Sequence, residues 1–160
     1  MEAVTFIIKE NKDDDFNDYV EKANTVWEKA LGRTYEYGAC PSNHVIIGFN
    51  SEDEPVCACI FDTNLDNEEF YDYFSCYTME KDECLISCVS AEPKNAGNGS
   101  KLMSKVIEFV KSNEIKKAFL NITKDENEEK LIKFYDKFGF IHKSHYGPVE
   151  QNEIQRCLYL

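Results

Sequence analysis

No stretch of this 160-residue sequence approaches the roughly 18 consecutive apolar residues that a membrane-spanning helix needs. The opening residues, MEAVTFIIKENKDDD, lack the basic start and long apolar centre of a secretory leader, so a cytoplasmic protein is the expectation. Basic residues are scarce: 18 Lys and Arg stand against 30 Asp and Glu, for a net charge of −12. Nucleic acid is a poor partner for such a surface, because phosphates are neutralised by lysine and arginine. The acidity suits a cationic small molecule or a basic peptide, and it serves plain solubility equally well. The seven cysteines include no C-x-x-C pair. Their nearest spacings, Cys57-x-Cys59 and Cys84-x-x-x-Cys88, fall in the apolar runs VCACIF and CLISCV, where each pair shares one strand face. They read as small buried hydrophobes in a reducing compartment, and no metal site is expected.

What is present is an ordinary soluble composition, 42% hydrophobic and 13% aromatic, long enough for one well-buried core. VTFIIKE is rich in β-branched residues and predicts a first strand. Phe16, Tyr19, Val20, Ala23, Val26, Trp27, Ala30 and Leu31 then recur at helical spacing, and Gly32 suits a stop. HVIIGF and PVCACIFD, separated by the turn formers NSEDEP, predict a β-hairpin. Residues 63–83 are acidic and aromatic without clear periodicity and read as a loop with a short helical or strand piece. CLISCVSAE is apolar at nearly every position, so it predicts a central strand buried on both faces. A helix from about Ser100 to Asn113 follows, with Leu102, Met103, Val106, Ile107 and Val110 on its apolar side. KAFLNIT predicts a strand, ENEEKLIKFYDKFG a helix stopped by Gly139, and FIHKSHY and RCLYL two last strands. No repeat, linker or low-complexity tract interrupts this order, and one α/β domain over residues 1–160 accounts for it.

Between the central strand and its helix lies EPKNAGNGSKLM, with two glycines one residue apart. A phosphate loop of the Gly-x-x-x-x-Gly-Lys-Ser/Thr type is excluded by spacing and order, and a dinucleotide fingerprint fails because Leu102 stands where its third glycine belongs. The run Lys94-Asn95-Ala96-Gly97-Asn98-Gly99, placed after a strand and before a helix, can instead cradle a pyrophosphate with backbone N–H groups and the helix N-terminus. This run resembles the coenzyme A pyrophosphate loop of the GCN5-related N-acetyltransferase superfamily, Arg/Gln-x-x-Gly-x-Gly/Ala, with Lys94 at the Arg/Gln position. Lysine keeps the charge there and loses the planar fork. A second stretch, EEKLIKFYDKFGF, resembles the family's other signature: Phe134-Tyr135 matches its aliphatic-Tyr pair and Gly139-Phe140 its Gly-Phe. Family members often carry Asn seven residues before the tyrosine. Here Glu128 fills that place and Asn127 lies one residue earlier, so either Asn127 reaches the pantetheine arm from the helix cap or the contact is absent.

The resemblance implies a central, mixed, mostly antiparallel, splayed sheet flanked by helices, and acetyl-CoA as cosubstrate with no metal. It implies that Cys88, Val89 and Ser90 contribute main-chain bonds to pantetheine and that the Val89 amide polarises the thioester carbonyl. It further implies that Lys94, Asn95, Ala96, Gly97, Asn98, Gly99 and Ser100 hold the pyrophosphate, with Asn127 and Phe134 as further cofactor contacts. Tyr135 would protonate the departing sulfur, since a phenol of pKa about 10 can donate to a thiolate of similar basicity. The general base stays open among Glu80, Glu83, His44 and a water chain, while His142 and His145 could line the acceptor site or lie at the surface. The expected reaction is direct attack by a primary amine of a small molecule or peptide. The alternative is a non-catalytic acyl-CoA-binding module of the same fold. The segment LDNEEFYDYF sets Asp66, Glu68, Glu69 and Asp72 among Phe70, Tyr71, Tyr73 and Phe74, a combination that would draw in a cationic acceptor. A monomer and a homodimer are both compatible with the sequence.

Overall fold

Period-2 and period-3.6 patterning alternate along the chain, and the backbone follows them. The computed structural model describes residues 2–32, 43–64, 71–72, 77–78, 80–142 and 153–160. In order, its elements are β1 (Thr5–Glu10), α1 (Phe16–Leu31), β2 (His44–Phe49), β3 (Pro55–Thr63), β4 (Tyr71–Asp72), β5 (Tyr77–Thr78), β6 (Glu83–Ala91), α2 (Asn98–Ser112), β7 (Lys117–Thr123), α3 (Glu128–Asp136), β8 (Ile141–His142) and β9 (Glu153–Tyr159). Seven strands form one sheet in the order β1-β2-β3-β6-β7-β9-β8, while β4 and β5 pair as a separate two-stranded sheet. The β1–β2, β2–β3, β7–β9 and β8–β9 pairs are antiparallel and β6–β7 is parallel. This is the mixed, mostly antiparallel sheet expected, with β6 in the middle.

The chain falls into two compact units, one of Met1–Asp62 with Ser87–Glu108 and the other of Thr63–Ile86 with Phe109–Leu160. In the first unit, Phe16, Val20, Ala23, Val26 and Trp27 of α1 form one core cluster with Val45, Ile47, Phe49, Ala58 and Ile60. Register explains the selection: Val45 lies opposite Ile60 and Ile47 opposite Ala58, so the four share a sheet face. The alternate residues Ile46, Cys57 and Cys59 are buried too, so β2 and β3 carry apolar side chains on both faces. Burial deprives the Cys57 thiolate of solvation and pushes this thiol up to about 11. Gly48 belongs to the same crowded layer: a Cβ there would lie 2.5 Å from Cys57 Sγ and 2.7 Å from Val4 Cγ1. At the end of α1, Gly32 adopts φ +68° and its N–H bonds Glu28 O at 2.9 Å, as its stop position requires.

In the second unit, β7 and β9 pair over seven residues, from Lys117↔Tyr159 to Thr123↔Glu153. The turn leaving α2 closes with Ile115 N–H on the Val110 carbonyl and Glu114 N–H on that of Lys111, both at 3.1 Å. It places Glu114 at φ +58° and buries Ile115. The β6–β7 ladder runs for four pairs, from Glu83↔Lys117 to Ile86↔Leu120. Beyond it β6 continues to Ala91 in the first unit and β7 to Thr123 in the second. Burial changes at the same point: Glu83 to Ile86 are buried, Ser87 is exposed, and Cys88 and Val89 are half-buried. The expectation of a strand covered throughout therefore holds for its first half, while Ser87 to Val89, just beyond the parallel ladder, lose cover before Ser90 is buried again.

Several boundaries differ from the sequence reading. α2 begins at Asn98 rather than Ser100, taking Gly99 into its first turn. β9 begins at Glu153 rather than Arg156, because pairing with β7 carries Glu153, Ile154 and Gln155 into the ladder. Within the acidic-aromatic segment, Tyr71–Asp72 and Tyr77–Thr78 supply the short strands. The acidic and aromatic side chains named there for the acceptor, and His145, lie outside the described residues.

Candidate active site

The glycine turn sits in the first unit. Glu92 N–H bonds the Val56 carbonyl at 2.8 Å, tying the exit of β6 to the start of β3. Asn95 and Gly97 then take left-handed backbone angles, φ +65° and +82°. Asparagine tolerates that region, and glycine enters it without a steric cost. The first helical bond of α2 runs from Lys101 N–H to the Gly97 carbonyl at 3.2 Å. The N–H groups of Asn98, Gly99 and Ser100 precede it, which is the condition under which a helix start presents donors to an anion. A Cβ added at Gly97 would meet nothing within 4 Å, so open space adjoins the backbone at this residue. Lys94 and residues 95–97 are exposed, as is Ser100, while Asn98 is buried. Lys101 is engaged elsewhere, its Nζ donating to the Glu2 carbonyl at 2.9 Å. A cavity of about 400 Å³ adjoins the turn, with Glu92, Pro93, Ala96, Asn98 and Lys101 among its lining residues.

Immediately before the turn, Cys88 packs partly buried against the α1 core. Val89 is half-buried and Ser90 is buried. The residues expected to meet the pyrophosphate, and the three strand residues expected to meet the pantetheine, thus occupy one continuous segment, 88–100, of the first unit.

Asn127, Phe134 and Tyr135 belong to the second unit. Asn127 is the residue before α3; its carbonyl accepts Leu131 N–H at 3.0 Å and its side chain makes no capping bond to the helix. Tyr135 is the buried residue of α3, 7% exposed. Its carbonyl receives Phe140 N–H at 3.3 Å while Gly139 N–H bonds the Asp136 carbonyl at 3.0 Å. This pair of bonds, with Gly139 at φ +90°, is a Schellman turn. The apolar contact that accompanies such turns is Phe140 on Tyr135, ring centroids 5.6 Å apart. Phe134 meets the tyrosine ring from another side at 5.1 Å. The spacing of Phe134-Tyr135 and Gly139-Phe140 in the sequence is therefore that of one closed helix end.

The candidate bases are differently placed. Glu83 is 2% exposed, and its Oε1 accepts the Glu80 N–H at 3.2 Å while its own N–H bonds the Glu80 carbonyl, a local turn-closing role. His44 is buried, stacked on Phe61 with centroids 5.1 Å apart. Its Nδ1 lies 2.6 Å from Asn43 Oδ1 and its Nε2 3.5 Å from Glu10 Oε1. His142 is exposed. Among the described residues no cluster of three or more His, Cys, Asp or Glu side chains is arranged to hold a metal. No helix there is long and apolar enough to cross a membrane. The sequence reading passed over Arg156, a lone charge in the strand RCLYL, which is 9% exposed and pairs with Asp136. A charge set in so short an apolar run was the available signal.

Comparison with known proteins gives this geometry its context. The sequence profile of the Acetyltransferase (GNAT) family matches residues 8–140. A search of curated proteins finds no match. Among solved structures, the chain is similar to the ribosomal-protein-S18-alanine N-acetyltransferase from Escherichia coli, at TM-score 0.65 and 12% identity over 97% of this chain and 94% of that one. It is similar to a GNAT family acetyltransferase from Elizabethkingia anophelis with acetyl-CoA bound, at TM-score 0.61 and 14% identity over 98% of each chain. A Bacillus subtilis acetyltransferase in complex with CoA aligns at TM-score 0.62 and 11% identity over 99% of each. At such identities the structures speak for the fold, and the profile speaks for the lineage. With that profile spanning most of the sequence, including both the glycine turn and the tyrosine helix end, the chain belongs to the GNAT family of acetyltransferases.

Proposed function

We propose that residues 1–160 act as one acetyl-CoA-dependent N-acetyltransferase domain that acetylates a primary amine by direct attack on the thioester. The observation that carries this reading is the start of α2, where a left-handed Gly97 adjoins open space and three leading N–H groups precede the first helical bond. Coenzyme A is the anionic ligand that the relatives from Elizabethkingia anophelis and Bacillus subtilis hold in some form. Acetyl-CoA supplies an activated acyl group; every other requirement falls to the chain. The amides of 94–100 and the charge of Lys94 would bind the phosphates. The main chain of Cys88, Val89 and Ser90, whose strand leaves the β7 ladder at Ile86, would hold the pantetheine, with Asn127 and Phe134 as further contacts. The Val89 N–H would stabilise the negative charge that develops on the carbonyl oxygen, and Tyr135 would return a proton to the leaving sulfur. Cys57, Cys59, Cys84, Cys88 and Cys157 form no disulfide among the described residues, which suits a reducing, cytoplasmic setting.

For the acceptor, a net charge of −12 and the acidic-aromatic segment favour a cationic amine. The test measures thiol release from acetyl-CoA with spermidine, a lysine peptide and glucosamine 6-phosphate at two salt concentrations. Release well above hydrolysis, fastest with a cationic amine and weakened by salt, is the expected result. Absence of release with every amine, although CoA binds, would favour a pure acyl-CoA binder. Selection of the anionic sugar would overturn the acceptor preference.

A further inference from the structure

Arg156 stands in β9 beside Cys157 and Leu158, all three buried. A buried guanidinium is unfavourable unless its donors are paired. Its Nη2 donates to Asp136 Oδ1 and to the Phe140 carbonyl, the latter at 3.2 Å. These two acceptors bracket the Schellman turn at the end of α3: Asp136 directly follows Tyr135, and Phe140 is the residue whose N–H and ring fold back onto it. The Asp136 side chain is 51% exposed, so solvent screens the pair and leaves it little weight as a stabilising contact. A bridge between two points of one turn has a geometric effect instead. It ties the helix end to β9 and fixes the rotation of the last turn about its axis.

The geometry points to Arg156 as the positioning residue for Tyr135: by spanning Asp136 and Phe140 it sets the direction in which the tyrosine hydroxyl is presented. This rests on the reading of Tyr135 as the acid for the leaving sulfur. Arg156 itself touches no reacting atom in this account. The turn still closes by its own backbone bonds without it, but the helix end gains rotational freedom, and small misplacements of a proton donor are costly to rate.

The experiment uses the full chain with acetyl-CoA and the fastest amine of the panel above. Asp136→Ala removes the half-exposed acceptor, and a thermal melt checks that the variant stays folded with Arg156 deprived of that partner. Arg156→Lys keeps the charge on a side chain one bond shorter, which withdraws the donor from the point where Nη2 meets both Asp136 and Phe140. Each should lower kcat roughly tenfold with the KM for acetyl-CoA little changed, because the phosphate loop is untouched. In a Tyr135→Phe background the same substitutions should cost nothing further, since the group they position is already gone. Unchanged kcat in both folded variants, beside a slow Tyr135→Phe, would overturn the positioning role and leave the tyrosine's role standing. Losses that simply add to that of Tyr135→Phe would also overturn it, as a structural defect. A Tyr135→Phe enzyme of undiminished kcat would remove both.

Discussion

Substituting Gly97 separates two effects that glycine loops usually confound. At φ +82° an L-residue carries a backbone penalty of about 1–2 kcal/mol, whatever surrounds it. The Cβ itself meets no protein atom within 4 Å, so Gly97→Ala adds no clash. The penalty falls on free and CoA-bound protein alike. It therefore lowers the melting temperature, by roughly 2–8 °C for a chain of this size, and leaves the dissociation constant alone. Under the proposed cradle, affinity changes for a different reason: the new methyl would occupy the open space beside Gly97, through which a phosphate oxygen would reach the N–H groups at the head of α2. A Kd for CoA weakened by more than about tenfold, or about 1.4 kcal/mol, is expected, with a larger loss for Gly97→Val. Gly32→Ala is the internal control, since Gly32 has φ +68° and equally open surroundings but caps α1. Calorimetry with CoA and thermal melts on the three variants provide the comparison. A Gly97→Ala protein that melts lower yet binds CoA as tightly as the parent would refute the cradle. Equal affinity losses in Gly32→Ala would show that the effect is general destabilisation.

The remaining predictions concern the tyrosine, its turn and the thiols. Tyr135→Phe should keep the fold and lower kcat by about 10²–10⁴ when chemistry limits turnover; single-turnover rates equal to the parent's would make the ring structural. Gly139→Ala combines φ +90° with a Cβ 3.3 Å from Leu158 Cδ1, and urea unfolding should show a loss of roughly 1–3 kcal/mol; parental stability would contradict the strained turn. Cys57 is pushed up to about 11 by burial, so the folded state holds this proton more tightly than the unfolded chain does. Its contribution is fully present below about pH 9, the ordinary thiol value, and is lost as pH rises through 11. In native protein at pH 8, iodoacetamide followed by peptide mapping should leave Cys57, Cys59, Cys84 and Cys157 unmodified while half-buried Cys88 reacts. Labelling of Cys57 ahead of Cys88 would contradict the burial argument.

How much of this was legible beforehand depended on where the determining forces are local. The α1 stripe from Phe16 to Trp27 and the hairpin of β2 and β3 are set by side-chain periodicity and turn formers, and both stand as read. Gly32 and Gly139 announced helix ends because left-handed backbone angles are a property of the residue itself. The start of α2 was read two residues late, since the Gly97 carbonyl already accepts the Lys101 N–H and so opens the helix at Asn98. The uncovering of β6 after Ile86 could not be read from CLISCVSAE, because it depends on where a parallel neighbour stops pairing. Of the candidate site, the loop and the tyrosine were visible as spacing, whereas the reason for the Tyr135-to-Gly139 spacing, a Schellman turn with Phe140 folded onto the ring, emerged with the backbone. Arg156 stayed hidden because its partners, Asp136 and Phe140, lie 20 and 16 residues away in sequence.

Trp27 is the chain's single tryptophan, and it is sealed in the core between α1 and the β2–β3 strands of the first unit. Intrinsic fluorescence excited at the red edge of the indole band therefore has one emitter, and its wavelength reports the hydration of that core alone. Helix loss followed by far-ultraviolet circular dichroism collects signal from α3 in the second unit as well. Coincident transitions by the two probes would describe one cooperative unit. An emission shift that precedes or trails the dichroic transition would give each half of the chain its own unfolding curve, without a label being introduced.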